Sequence, residues 1–221
     1  MKVENVMMEE WEELFQGAKT FRNFMTMYNS AIKEVRTKFE ILNDDLSRDY
    51  DRNPIEMIKS RVKSPESILK KVKAKNLDYD IDVIMENIHD IAGVRVICSF
   101  VDDIYKVAEM LASQDDINVI TIKDYIKNPK PNGYRSYHMI VEVPVFFSEC
   151  RKKMKVEVQL RTIAMDFWAS LEHKIRYKKD VEDFEDIARE LKECADVIAS
   201  TDFKMQEISK SISRKRGNKN D

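Results

Sequence analysis

From Phe21 onward the apolar residues Phe21, Phe24, Met25, Tyr28, Ile32, Val35, Phe39, Leu42 and Leu46 recur mostly in steps of three and four. That period traces one face of a long amphipathic helix. Residues 51–54, ending in Pro54, break it, and Ile55 to Val62 reads as a short strand. Ser64, Pro65 and Glu66 then supply an N-cap, a proline at the first helical position and an early carboxylate. They predict a helix running through Ser67, Lys70 and Lys71. Ile81 to Ile88 reads as a helix, Gly93 to Phe100 as a largely buried strand rich in β-branched residues, and Val101 to Ser113 as a helix. Strands follow at Ile117 to Tyr125, Tyr137 to Val145 and Met154 to Arg161. Between the first two, Asn128-Pro129-Lys130-Pro131-Asn132-Gly133 is the densest turn signal in the chain and predicts a mobile basic loop. In the last strand Met154, Val156, Val158 and Leu160 alternate with Glu157, Gln159 and Arg161, so one face is core and the other polar. Thr162 to Tyr177 and Glu182 to Ile212 read as helices, the second carrying Phe184, Ile187, Leu191, Ala195 and Ile198 on one stripe. The order of elements predicts an α/β fold: a mixed β-sheet flanked by helices, with N- and C-terminal helical extensions. Its expected parts are an N-terminal helical extension over 1–50, a core over 51–178, a C-terminal helix over 179–212 and a disordered basic tail over 213–221.

Composition narrows the chemistry. The 221 residues are 43% hydrophobic, enough for a sizeable core. No apolar run reaches the roughly 18 residues of a membrane span, and the first ten residues lack the regions of a signal peptide, so a cytoplasmic protein with no membrane partner is expected. Cys98, Cys150 and Cys194 show no C-x-x-C spacing and read as reduced filler. The four glycines, Gly17, Gly93, Gly133 and Gly217, are too scattered for a phosphate loop or a dinucleotide loop. Any nucleotide must therefore be held by side chains. The net charge is only −2, yet Lys and Arg gather at Lys59 to Lys75, Lys123 to Arg135 and Arg151 to Lys155.

Four segments concentrate the polar groups: Arg61 to Lys71, His89 to Val96, Lys130 to His138 and Val156 to Thr162. Arg61 and Lys63 leave a strand on one face, while Ser67 and Lys71, spaced i and i+4, share a helix face near its start. This suits a phosphate clamp, and equally a solvated basic helix. Asp90 and Glu157 lie on or beside separate strands and suit a hard cation such as Mg²⁺, which takes few carboxylates and keeps sites for phosphate oxygens. The alternative reading has Asp90 capping a turn and Glu157 paired with Arg161 or Lys155. Tyr134, flanked by basic groups after a glycine, suits base stacking or ordinary packing. With three histidines in the chain, His89-Asp90 does not extend to a metal-dependent phosphohydrolase centre. No G-x-S-x-G elbow supports acyl transfer.

In order and spacing, the motifs R-x-K-x-x-x-S-x-x-x-K, D-I-A-G-x-R, N-G-Y-R-S-Y-H and E-V-Q-L-R-T resemble the synthetase domain of the RelA/SpoT family. The resemblance is specifically to its small stand-alone alarmone synthetases and spans about Lys19 to Lys204. It implies a sheet of nucleotidyltransferase-like type and a Mg²⁺-dependent transfer of the β,γ-pyrophosphoryl group of ATP to the 3′-hydroxyl of GDP or GTP. The products would be AMP and ppGpp or pppGpp, the alarmones of the stringent response. Long members add a hydrolase domain, for which these residues leave no room. The resemblance further implies that Arg61 and Arg95 sandwich the adenine, while Lys63, Ser67 and Lys71 bind the ATP phosphates. Asp90 and Glu157 would hold Mg²⁺, with Glu157 receiving the 3′-hydroxyl proton. Tyr134 would stack on guanine, Lys130 and His138 would lie near the acceptor phosphates, and Asp166 near the guanine, where some relatives have asparagine. Lys123, Gln159, Arg161 and His173 would support the site.

The resemblance also implies a homotetramer. Members activated by their product bind it at the tetramer centre, where this chain offers Arg36, Glu40, Met57 and Lys59. Two further readings stay open. One is a polymerase-β-like nucleotidyltransferase, although its glycine-serine turn and close carboxylate pair are missing. The other is a non-catalytic RNA-binding module using the basic segments and Arg214-Lys215-Arg216.

Overall fold

The computed structural model describes residues 18–49, 52–176 and 184–217. In chain order the elements are α1 (Ala18–Asp49), β1 (Ile55–Val62), α2 (Pro65–Ala74), α3 (Ile81–Asn87), β2 (Ala92–Cys98), α4 (Val101–Ala112), β3 (Asn118–Asp124), β4 (Tyr137–Phe146), β5 (Arg151–Thr162), α5 (Ile163–Arg176) and α6 (Phe184–Gly217). The strands form one mixed sheet of five, ordered β1-β2-β5-β4-β3. β2 and β5 run parallel, and the other neighbours are antiparallel.

The alternation in β5 decides which face is buried. Met154, Val156, Val158 and Leu160 are inaccessible to solvent, as are Val141 and Val143 of β4. The register sets Met139 opposite Val158 and Val141 opposite Val156, so these side chains form one apolar surface. α1 lies across it with Phe24, Tyr28, Ala31, Val35 and Phe39 buried, and α4 adds Ile104, Val107 and Leu111. Burying one such side chain is worth roughly 1.5–3 kcal/mol, so the helix that extends the core also completes it. The side chain of Phe21, expected on the same stripe, lies outside the described residues.

The other face stays open, and register organises it. Residues paired across neighbouring strands point to the same side of a sheet. One row across this face therefore reads Lys59, Arg95, Gln159, His138 and Lys123, and the next reads Arg61, Gly93, Glu157 and Ile140.

Two expectations are corrected. α6 continues to Gly217, so residues from Ser213 are helical and not a disordered tail. Lys and Arg are good helix formers, and cations in a last turn complement the helix dipole. Residues 218–221 lie outside the described residues, as do 177–183, where α5 was expected to end and α6 to begin. The loop between β3 and β4, expected to be mobile, is pinned. Gly133 adopts φ +86° and lies so near α6 that a Cβ there would sit 2.6 Å from the Ala195 Cβ. Arg135 donates to the Gly133 carbonyl at 3.1 Å and to Asp196 at 3.1 Å, and Asn132 donates to Glu172 at 3.2 Å.

Candidate active site

A pocket of about 360 Å³ opens on the polar face of the sheet, lined by Lys59, Ser60, Arg61, Lys63, Asp90, Gly93, Val94, Arg95, Glu157 and Gln159. Its floor is low because Gly93, between Arg61 and Glu157 in the register, has no side chain to fill it. At the pocket's edge Ser64 caps α2, its hydroxyl accepting from Ser67 N at 3.3 Å, which brings Ser67 and Lys71 to the helix face beside Lys63. Lys63 Nζ lies 2.6 Å and Lys71 Nζ 2.5 Å from the same oxygen, Oδ2 of Asp90. Burial pushes the Asp90 carboxyl up, but the hydrogen bonds and charges of the two lysines outweigh it and hold the group below its ordinary range.

Arg95 crosses the pocket on β2. Its Nη1 donates to Asp166 Oδ1 at 3.1 Å and its Nη2 to Gln159 Oε1 at 3.4 Å. Its Nε is buried without a partner, a rare condition that a ligand in the pocket would relieve.

Beside this pocket stands an aromatic and basic cluster. Arg161, 4% exposed, donates Nη2 to the Tyr134 hydroxyl at 2.6 Å and to Gln159 Oε1 at 3.2 Å, and Nη1 to Asp166 Oδ1 at 3.0 Å. The Tyr134 hydroxyl also lies 2.9 Å from His138 Nε2, and Nδ1 of that ring faces Glu157 Oε1 at 3.4 Å. Gln159 Nε2 donates to the other Glu157 oxygen at 2.9 Å. Burial raises the Glu157 pKa, and the Asp90 charge also raises it. The hydrogen bonds of His138 and Gln159 and the charge of His138 outweigh both and leave it lowered. Lys130 Nζ sits 4.7 Å from the ring centre of Tyr125 and 4.9 Å from that of Tyr134.

Arg61, Lys63, Ser67, Lys71, Asp90, Arg95, Glu157 and Gln159 thus gather at the pocket or its rim, and Lys130, Tyr134, His138 and Arg161 form the adjoining cluster. Lys123 is exposed at the far end of the first register row. His173 is exposed on α5 and does not line the pocket. Asp166 binds the two arginines. Glu157 meets His138 and Gln159, and not Arg161 or Lys155 as the alternative reading had it; Lys155 instead bonds the Glu86 carbonyl at 2.9 Å. His89 Nε2 is taken up by the same carbonyl at 2.6 Å. Two site members are not assigned to this pocket by the sequence, which offers Lys59 at the tetramer centre and reads Tyr125 only as the end of a strand. Lys59 reaches the pocket by register with Arg95, and Tyr125 packs edge-on to His138 with ring centres 5.2 Å apart.

Among the described residues no group of three or more His, Cys, Asp or Glu could hold a metal. Asp90 and Glu157, two carboxylates in one pocket, do fit Mg²⁺, which binds through one or two carboxylates plus substrate phosphates.

Fold and pocket together define an α/β synthetase-type core with a basic pocket built from side chains. The region found in RelA / SpoT proteins matches residues 60–182, and the chain belongs to the RelA/SpoT family. It is 44% identical over 201 residues to the GTP pyrophosphokinase YwaC of Bacillus subtilis, covering 91% of this chain and 96% of that one. The crystal structure of small alarmone synthetase 2 from Bacillus subtilis superposes with a TM-score of 0.78 at 47% identity, over 86% of this chain and 98% of the other. That of small alarmone synthetase 1 from the same organism, bound to its product pppGpp, superposes with a TM-score of 0.81 at 36% identity, over 88% and 98%.

Proposed function

We propose that the chain is a GTP pyrophosphokinase that transfers the β,γ-pyrophosphate of ATP to the 3′-hydroxyl of GDP or GTP. The observation that carries this reading is the placement of Asp90 and Glu157 in one pocket, between the Lys63-Lys71 clamp and the Tyr134-His138-Lys130 cluster. Two polyphosphates can approach each other there, donor on one side and acceptor on the other.

Arg61 and Arg95 hold the adenine between their planes. Lys63 and Lys71 turn from Asp90 to the ATP phosphates, freeing the carboxylate. Asp90 and Glu157 hold Mg²⁺, which when bound neutralises charge on the transferred group. Tyr134 stacks on guanine, displacing Lys130 from its ring toward the acceptor phosphates beside His138. The acceptor 3′-oxygen attacks the β-phosphorus in line, the bond from that phosphorus to the α,β-bridging oxygen breaks, and AMP leaves. The 3′-hydroxyl proton passes to Glu157. A carboxylate held at low pKa is a weak base, which suits a transfer driven by positioning and charge neutralisation.

Among the described residues no helix is long and apolar enough to cross a membrane, and the nucleotide substrates fit a cytoplasmic location. Incubating the purified chain with ATP, Mg²⁺ and GDP or GTP should yield AMP and a 3′-pyrophosphorylated guanosine nucleotide. Release of pyrophosphate with transfer of a nucleoside monophosphate would overturn the reading in favour of a nucleotidyltransferase.

A further inference from the structure

Asp166 stands in the first turn of α5, a turn fixed by Thr162, whose hydroxyl accepts from Met165 N at 3.1 Å. Its side chain is 13% exposed and sits among three cations. Oδ1 accepts from Arg95 Nη1 at 3.1 Å and from Arg161 Nη1 at 3.0 Å, and Oδ2 lies 3.5 Å from Lys59 Nζ. The two arginines belong to different halves of the site. Arg95 lines the donor pocket, whereas Arg161 holds the Tyr134 hydroxyl at 2.6 Å. Like charges so placed repel, and the Gln159 carbonyl oxygen they also share, at 3.4 and 3.2 Å, carries no net charge to offset that. A carboxylate between them does, and it fixes both planar forks by directed hydrogen bonds.

We propose that Asp166 is a positioning residue: as the shared counter-ion of Arg95 and Arg161 it sets the donor and acceptor halves at a fixed separation, and it does not read the guanine edge. The assignment of the halves rests on the pyrophosphokinase reading. An asparagine keeps the shape and one accepting oxygen but removes the charge, so both arginines would relax and both substrates would lose contacts.

The test is calorimetric titration of a non-hydrolysable ATP analogue alone, GDP alone and IDP alone into the wild type, Asp166→Asn and Asp166→Glu, with melting curves to establish folding. IDP lacks the exocyclic amino group that a guanine-reading carboxylate would bind. Asp166→Asn should weaken the ATP analogue about tenfold, the scale of one charge-assisted hydrogen bond. It should weaken GDP and IDP by equal factors, and Asp166→Glu should recover the ATP-analogue affinity in part. Unchanged ATP-analogue affinity, or a loss confined to GDP, would overturn the proposal. Wild-type turnover is scored separately: nucleotide binding that responds in this way without AMP formation would overturn the pyrophosphokinase reading and leave the role of Asp166 standing.

Discussion

At the scale of single residues, the proposed transfer rests on Glu157 and Tyr134. Both site carboxyls, Asp90 and Glu157, are held below their ordinary pKa range. A group whose folded pKa is depressed stabilises the fold above its unfolded pKa, and that contribution is lost as pH falls through the folded value. Glu157 is thus ionised throughout neutral pH, and its titration should not appear in the rate near neutrality. An acid limb centred near pH 6–7 that disappears in Glu157→Gln would contradict this. Glu157→Gln itself should lower kcat by at least about a hundredfold, the usual floor for losing a proton acceptor. Tyr134→Ala should weaken acceptor binding by about 1–3 kcal/mol through lost stacking, while Tyr134→Phe, which keeps the ring, should lose much less. Equal losses in the two variants would assign Tyr134 to holding Arg161 and His138 instead of to the base. These residues were legible because each stands in a motif of chemically unusual spacing. The places of Lys59 and Tyr125 were not, since each enters the pocket or its neighbouring cluster through pairing or packing with another strand.

At the scale of elements, helices and strands could be read because their periods are local. The N-cap at Ser64 and the alternation of Met154 to Arg161 are complete within a few residues. The loop before β4 was misread for the opposite reason: its turn composition is local, but its tethers to Glu172, Ala195 and Asp196 come from α5 and α6. α6 is in turn clamped to α5 by the Trp168 indole, which donates to the Leu191 carbonyl at 2.9 Å. Gly133→Ala combines a left-handed φ with a close approach to Ala195, so the loop must shift. Its expected outcome is a lower melting temperature together with weaker acceptor binding, at unchanged ATP-analogue affinity. If differential scanning calorimetry and GDP titration both match the wild type, the loop's docking on α6 does not position Tyr134.

At the scale of the whole molecule, the sequence carried the class of fold but not the strand order. That β2 lies between β1 and β5, which places Arg61, Gly93 and Glu157 in one row, depends on pairings between segments far apart in the chain, Arg61 with Gly93 and Gly93 with Glu157. The apolar stripe of α1 is consumed by the chain's own sheet. Exposed apolar residues remain on α5 and α6, among them Phe167 at 58%, Val197 at 67%, Met205 at 55% and Ile212 at 50%. We propose that these faces build the homotetramer, and light scattering at micromolar concentration should return four times the chain mass; a monomer would reject it. The pyrophosphoryl transfer itself is tested most directly with ATP labelled at the β-phosphorus and GTP as acceptor. The label should appear on the guanosine 3′ position, with unlabelled AMP released in equal amount and no transfer to 3′-deoxyguanosine triphosphate. Label recovered in ADP or in free pyrophosphate would contradict the proposed transfer.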